Sequence, residues 1–189
     1  MRKVVPITLV LSLIAVSSFA QVETIGVCAD TGGWVCSLKD MPPEGLIQYY
    51  VVHASFAGAT VVEYRAKLPY CMTKTGAYWL SDVNPWLWIG TSQTGVQIGY
   101  GVCKAGVILV QTINVYKMGL TEPCCPWIVD ADPSYAGGEI VGTDCNFNLI
   151  YPTGRPAIVN ANAGCDCNHP TGILPTDTTW GKVKSLYTE

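Results

Sequence analysis

Charged residues are scarce in this sequence. Asp, Glu, Lys and Arg make up 13% of the 189 residues, and the formal net charge is −3. No cluster of Lys and Arg occurs, so the composition disfavours nucleic-acid binding. Low charge combined with six Trp and ten Tyr is the opposite of a disordered composition, and the scatter of 19 Gly and 12 Pro excludes a coiled coil. One compact, β-rich domain is the class that remains.

Histidine is also scarce, since only His53 and His169 occur. A Ser-His-Asp triad would need one of them. Ser92 lies in Gly-Thr-Ser-Gln-Thr-Gly, which is a hairpin-like loop and not the G-x-S-x-G nucleophile elbow. His53 lies in an apolar strand, which favours a structural role over a general base. We therefore expect no enzyme activity. A hydrolase is the alternative, if either histidine meets a nucleophile in a cleft.

The N-terminal segment has the pattern of a secretory signal peptide. Arg2 and Lys3 precede an apolar run over residues 4–16, and Ser18 and Ala20 supply small residues at a cleavage site. Residues 1–20 are thus predicted to be removed. A membrane anchor is the alternative, but the run is shorter than the ~20 residues of a span. No other stretch reaches 18 apolar residues, so we expect no membrane span after cleavage and a secreted or cell-surface protein.

Removal of residues 1–20 leaves nine basic and fourteen acidic residues, a net charge of −5. Such a chain is not built to coat DNA or anionic membranes.

All nine cysteines lie beyond the predicted cleavage site. In an oxidising compartment they predict three or four disulfides with at least one thiol left over, in a pairing that the sequence leaves open. Adjacent Cys124 and Cys125 point to opposite faces of a strand, so we expect them to have different partners. Zinc at Cys165, Cys167 and His169 is the alternative, but the spacing differs from that of common zinc sites.

Hydrophobic periodicity predicts strands along most of the chain. The clearest is 60–68, where apolar residues alternate with Glu63, Arg65 and Lys67. Further strands are predicted at 46–55, 96–102 and 106–116, with a turn at 56–59. The pattern predicts an antiparallel β-sandwich over residues 21–170, stapled by disulfides, with a closed barrel as the alternative. The predicted core residues are Val62, Tyr64, Leu68, Leu109, Ile113 and Val115.

Two groups of residues are candidate binding sites. Trp79, Trp86 and Trp88 are candidates for a sugar-stacking platform, and the alternative is that they belong to the core. Asp130, Asp132 and Glu139 are weak calcium candidates, because hard cations prefer clustered carboxylates, but an EF-hand spacing is absent. No cofactor is predicted.

The C-terminal segment 171–189 is predicted to be a linker followed by a short helix. An apolar face of this helix is formed by Trp180, Val183, Leu186 and Tyr187. About ten residues do not hold a helix alone in water, so this face needs a docking surface. The surface is either the chain's own sandwich or an external partner.

Six segments together have a recognisable pattern. They are 26–30 (GVCAD), 50–53 (YVVH), 92–101 (SQTGVQIGYG), 124–125 (CC), 141–146 (VGTDCN) and 179–184 (TWGKVK). With them the chain resembles a group of secreted, cysteine-rich bacterial proteins that has no assigned activity. The resemblance implies export and a compact disulfide-stapled domain. It also implies that Cys28 is the unpaired thiol, because an aromatic residue is compatible with the group's pattern at that position.

These features predict a non-catalytic structural or adhesion module of the bacterial cell envelope or extracellular matrix. Its expected partner is a cell-surface protein or a glycan. A carbohydrate- or small-ligand-binding module that uses Trp and Tyr is the alternative.

Overall fold

The computed structural model of the chain describes residues 23–135, 137–162, 165 and 167. The predicted signal peptide and the predicted C-terminal helix with Trp180, Val183, Leu186 and Tyr187 lie outside the described residues. His169 also lies outside them.

The described residues form a β-sandwich of an eight-stranded sheet and a three-stranded sheet. The elements are β1 (Thr24–Cys28), β2 (Ser37–Leu38), β3 (Gly45–Tyr64), α1 (Tyr70–Thr73), β4 (Tyr78–Val83), β5 (Leu87–Thr91), β6 (Gly95–Lys117), β7 (Cys125–Trp127), β8 (Val141–Asp144), β9 (Leu149–Ile150), β10 (Thr153–Arg155) and β11 (Ala157–Val159). The larger sheet has the order β10-β1-β3-β6-β4, with β5 on β6 and β8-β9 on β3. The smaller sheet has the order β2-β11-β7.

Two long antiparallel strands, β3 and β6, form the centre of the larger sheet. The predicted turn at 56–59 is wrong, because the chain continues in β3 through these residues. The pairing instead shifts register between Ser55 and Ala59, and Gly58 has φ +91°. A bulge of this kind bends a strand without reversing it. The two strands predicted at 96–102 and 106–116 are likewise one strand.

The prediction of a purely antiparallel sheet needs a correction. Strand β1 pairs with β10 in parallel, and β2 pairs with β11 in parallel. Both parallel pairs join an N-terminal strand to a strand from the end of the domain. Such distant pairing leaves no mark in local periodicity, which is why the sequence did not predict it. The chain also forms one helical turn, α1, where no helix was expected.

The hydrophobic core contains residues of both sheets. Five of the six predicted core residues are buried: Val62, Tyr64, Leu68, Ile113 and Val115. The prediction that Leu109 is buried is wrong, because it is only half-buried while Ile108 and Val110 on either side are buried. A register shift in the β3–β6 pairing at this point exchanges the inward and outward positions of β6.

Four disulfides fix the fold, and they join Cys36 to Cys167, Cys71 to Cys125, Cys103 to Cys145, and Cys124 to Cys165. Adjacent Cys124 and Cys125 have different partners, as predicted. The remaining cysteine, Cys28, is buried and free, in agreement with what the resemblance implied.

Candidate interaction surface

Strand β5 lies at an edge of the larger sheet and carries no charged residue. It pairs with β6 on one side, and no described strand pairs with its other side. Leu87 is 78% exposed and Ile89 is 75% exposed. Natural proteins usually guard such an edge with charge, proline or a bulge, because unpaired backbone groups attract other strands. An uncharged, apolar edge therefore indicates contact with another molecule.

The strand register places apolar side chains of β3 and β5 on either side of a glycine in β6. Val61 of β3 is opposite Gly99 of β6, and Gly99 is opposite Leu87 of β5. A side chain at Gly99 would meet no atom closer than the carbonyl oxygen of Leu87 at 4.0 Å. Because Gly99 has no side chain, the space between Val61 and Leu87 is open. We call this surface the β5 face, and its residues are Val61, Leu87, Trp88, Ile89, Gln97 and Gly99.

Carboxylates border the β5 face on one side. Glu63 of β3 is opposite Gln97 of β6, and Gln97 is opposite Ile89 of β5. These three residues form the row next to that of Val61, Gly99 and Leu87. Burial raises the pKa of Glu63 above its ordinary value, and the neighbouring Asp132 raises it further. The Asp132 carboxylate accepts hydrogen bonds from the backbone N–H and the hydroxyl of Ser134, at 2.7 and 2.8 Å. A positive charge from a binding partner would be stabilised at this border.

The structure does not bring the three candidate tryptophans onto one face. Trp79 lies on β4 opposite Val115, whereas Trp88 lies on β5 opposite Ile98. The two β6 positions are 17 residues apart, so the two tryptophans lie beside different parts of β6. Only Trp88 is exposed, at 51%.

The indoles of Trp79 and Trp86 are half-buried and already have hydrogen-bond partners. Trp79 Nε1 donates to Asp82 Oδ1 at 2.9 Å, and Trp86 Nε1 donates to the Leu109 carbonyl at 2.7 Å. Trp86 also packs edge-on against Tyr100, with ring centroids 5.5 Å apart. Both side chains therefore contribute to packing.

The calcium candidates are not gathered into a ligand set. Asp130 accepts two hydrogen bonds from the Arg65 guanidinium, at 3.0 and 2.7 Å, and Asp132 accepts those of Ser134. Glu139 is exposed. Within the described part of the chain, no three His, Cys, Asp or Glu side chains are placed to hold a metal ion.

His53 is fully buried and does not reach a nucleophile. Its Nδ1 lies 3.0 Å from the Tyr100 hydroxyl, and its Nε2 lies 3.8 Å from Glu23 Oε2. Ser55 donates its hydroxyl proton to Glu23 Oε1 at 2.7 Å, so the carboxylate stands between the serine and the imidazole. Ser92 is buried and donates to Asp82. Neither serine is paired with His53 as a triad requires.

Sequence reasoning missed the β5 face itself. It singled out Trp86 and Trp88, which are the large aromatic residues of this segment. The sequence did contain one indication of this surface, because the segment that holds Leu87 and Ile89 has no charged residue. Their exposure depends on β5 being an edge strand, which only the sheet topology reveals.

No protein-family model matches the chain, and no curated protein matches it. A non-cellulosomal cohesin from the archaeon Archaeoglobus fulgidus is similar in structure, with a TM-score of 0.49 and 11% identity over 73% of this chain and 91% of that chain. A cohesin module of a family 33 glycoside hydrolase from Clostridium perfringens has a TM-score of 0.45 and 5% identity, over 75% of this chain and 99% of that chain. A cohesin from Acetivibrio cellulolyticus, solved in complex with a dockerin, has a TM-score of 0.45 and 6% identity over 72% and 98%.

Across the described residues, no helix has the length and apolar character needed to cross a membrane.

Proposed function

We propose that this protein is a non-catalytic, exported adhesion module that binds another protein through the β5 face. The observation that carries the proposal is the uncharged edge strand on which Leu87 and Ile89 are more than two-thirds exposed. Contiguous exposed apolar residues with a polar rim are typical of protein interaction sites.

The disulfides support an extracytoplasmic location for this module. Eight of the nine cysteines are paired, and disulfides persist in oxidising compartments and are rare in the cytosol. The predicted signal peptide at 1–20 accords with this location. We place the module on the bacterial cell envelope or in the extracellular matrix.

The expected partner is a protein segment in extended conformation with a Lys or Arg beside its apolar residues. The free edge of β5 offers backbone N–H and C=O groups to an added strand, and alternate side chains of that strand would contact the β5 face. Glu63 and Asp132 at the border would pair with the basic residue. A sugar platform is less well supported, because it needs at least two exposed coplanar rings and only Trp88 among the three candidates is exposed.

The test compares binding of the labelled, exported protein to washed cells of its source with binding of two double variants. Leu87→Ser with Ile89→Ser removes the apolar β5 face. Leu80→Ser with Val83→Ser is the matched control, because it changes two exposed residues on another edge strand, β4. We expect at least a tenfold loss of binding in the first variant and none in the second. Both should keep the wild-type melting temperature, since exposed substitutions change stability little.

The outcome also separates the two kinds of partner. Loss of wild-type binding after the cells are treated with protease supports a protein partner. Binding that survives protease, and that falls on periodate oxidation and in Trp88→Ala, would support the carbohydrate-binding alternative. Equal binding by wild type and by the β5-face variant would contradict the proposal.

A further inference from the structure

A lysine lies buried at the end of β6. Lys117 and Asp40 are both fully buried, with Lys117 Nζ 2.9 Å from Asp40 Oδ2. Lys117 Nζ also contacts the backbone carbonyl oxygen of Asp40. A lysine amine acts as a nucleophile in proteins when a neighbouring group takes up its proton.

The side-chain amide of Asn160 donates a hydrogen bond to the other oxygen of the Asp40 carboxylate. Asn160 Nδ2 donates to Asp40 Oδ1 at 2.6 Å and to the Thr121 carbonyl at 2.8 Å. Asn160 Oδ1 accepts the backbone N–H of Asp40 at 3.3 Å. The Asp40 carboxylate thus contacts both the Lys117 amine and the Asn160 carboxamide, and the backbone N–H of Asp40 donates to the oxygen of that carboxamide.

The surroundings of this cluster are apolar and aromatic. Tyr49 is buried, and its pKa is raised by burial and by the charge of Asp40. The fully buried Trp127 packs edge-on against Tyr49, with ring centroids 5.1 Å apart. Water is largely excluded from such a site, which strengthens every electrostatic interaction within it.

We propose that Lys117 and Asn160 form an intramolecular isopeptide bond, with Asp40 as the catalytic acid and base. Asp40 takes a proton from the Lys117 ammonium, and the free amine attacks Cγ of Asn160. A bond forms between Lys117 Nζ and Asn160 Cγ, and the bond between Cγ and Nδ2 of Asn160 breaks. Asp40 passes this proton to Nδ2, which leaves as ammonia. Nζ loses a second proton as it becomes an amide nitrogen, and that proton is carried away with the ammonia as ammonium. The step consumes one amine and one carboxamide and needs no oxidant or other reactant.

The charges of the cluster suit this sequence of proton transfers. Burial alone would raise the pKa of Asp40, but hydrogen bonds from Thr121, Asn160 and Lys117 hold it below its ordinary value. The carboxylate is therefore ionised and, as a weak base, holds the Lys117 proton only briefly before returning it to Nδ2. The negative charge that develops on Asn160 Oδ1 meets the backbone N–H of Asp40, as in an oxyanion hole.

The bond would join the two sheets covalently. Lys117 ends β6 of the larger sheet, and Asn160 directly follows β11 of the smaller sheet. The backbone N–H of Cys124 donates to the Asn160 carbonyl at 3.2 Å, so the cross-link would lie next to the Cys124–Cys165 disulfide. Unlike the disulfides, this link would survive reducing agents.

Mass spectrometry of the exported, purified and fully reduced protein tests the proposal. Loss of ammonia makes the chain lighter by about 17 Da than its sequence requires. A chain that begins with Gln21 can also lose ammonia by cyclisation, so the loss must be located by peptide mapping. Trypsin does not cut after an acylated lysine or between Arg155 and Pro156. We therefore expect one peptide, 105–182, that is lighter by about 17 Da.

Single substitutions test the role of each of the three residues in bond formation. Lys117→Arg and Asn160→Ala should give peptides of full mass, and in Lys117→Arg trypsin should release 105–117. Asp40→Asn keeps the shape of the carboxyl side chain and should leave the Lys117 and Asn160 side chains unreacted. Lys74→Arg is the matched control, because Lys74 is paired with Glu122 on the surface, and it should keep the light peptide.

Two results would overturn the proposal. One is release of 105–117 from the wild-type protein at full mass. The other is loss of water instead of ammonia, with Lys117 joined to Asp40. The measurement needs no binding partner, so its outcome is independent of the proposed function.

Discussion

Cys28 is chemically distinct from the other eight cysteines because its thiol is free and buried. Burial raises the pKa of Cys28 to about 11, against a smaller opposing effect of Arg155. The reactive form of cysteine is the thiolate. The fold should therefore protect Cys28 from alkylation in two ways, because burial blocks access of the reagent and the raised pKa keeps the thiol protonated.

We predict that iodoacetamide does not label Cys28 in the native protein between pH 7 and 9. In denaturant without reductant, one equivalent should be incorporated, and all of it at Cys28. The label is located by peptide mass spectrometry. Rapid native labelling at pH 8, or incorporation of several equivalents in denaturant, would contradict the structure.

Single residues show where sequence reasoning succeeds and where it stops. Tyr64 and Ile113 were predicted to be buried from alternation alone, and they are. Leu109 was predicted wrongly, because a register shift exchanges the two faces of β6 and leaves no trace in composition. The contact between Lys117, Asp40 and Asn160 was not predicted at all, since these residues come from three distant segments.

At the scale of elements, the most informative feature is the bulge in β3. Gly58 there has φ +91°, and a side chain at this position would overlap the sulfur atoms of Cys103 and Cys145. The Cys103–Cys145 disulfide therefore lies against the bulge and joins β6 to the end of β8. The sequence predicted a turn here because a glycine among small residues is typical of both turns and bulges.

We predict that Cys103→Ala with Cys145→Ala lowers the free energy of unfolding by about 2–4 kcal/mol, because the bridge restricts the unfolded chain. Denaturant unfolding followed by tryptophan fluorescence measures the change. Gly58→Ala should destabilise the disulfide-bonded protein, since it combines strain at positive φ with the overlap. An unchanged unfolding midpoint in both variants would show that the bulge does not depend on this bridge.

The prediction of period-two strands was correct where one face of the sheet is buried. Strand β3 illustrates this, because Val62 and Tyr64 are buried while Val61 and Glu63 are not. Pairing partners and edge positions could not be predicted, since they depend on contacts between segments far apart in the chain. For this reason the sequence identified Trp88 but not the β5 face around it.

At the scale of the whole molecule, the disulfides are distributed to hold the smaller sheet. Its three strands, β2, β7 and β11, contain two or three residues each, which is too short for independent stability. Three of the four bridges involve Cys125 in β7, Cys124 just before it, or Cys36 just before β2. The fold therefore depends on oxidation, which links the architecture to export.

The most direct test of an exported, disulfide-locked module is a disulfide map of the protein recovered from outside the cytoplasm. Free thiols are blocked in denaturant, the unreduced protein is digested, and linked peptides are identified by mass spectrometry. The account predicts the pairs Cys36–Cys167, Cys71–Cys125, Cys103–Cys145 and Cys124–Cys165, with Cys28 alone blocked. Four or more blocked thiols, or Cys28 within a bridge, would contradict it.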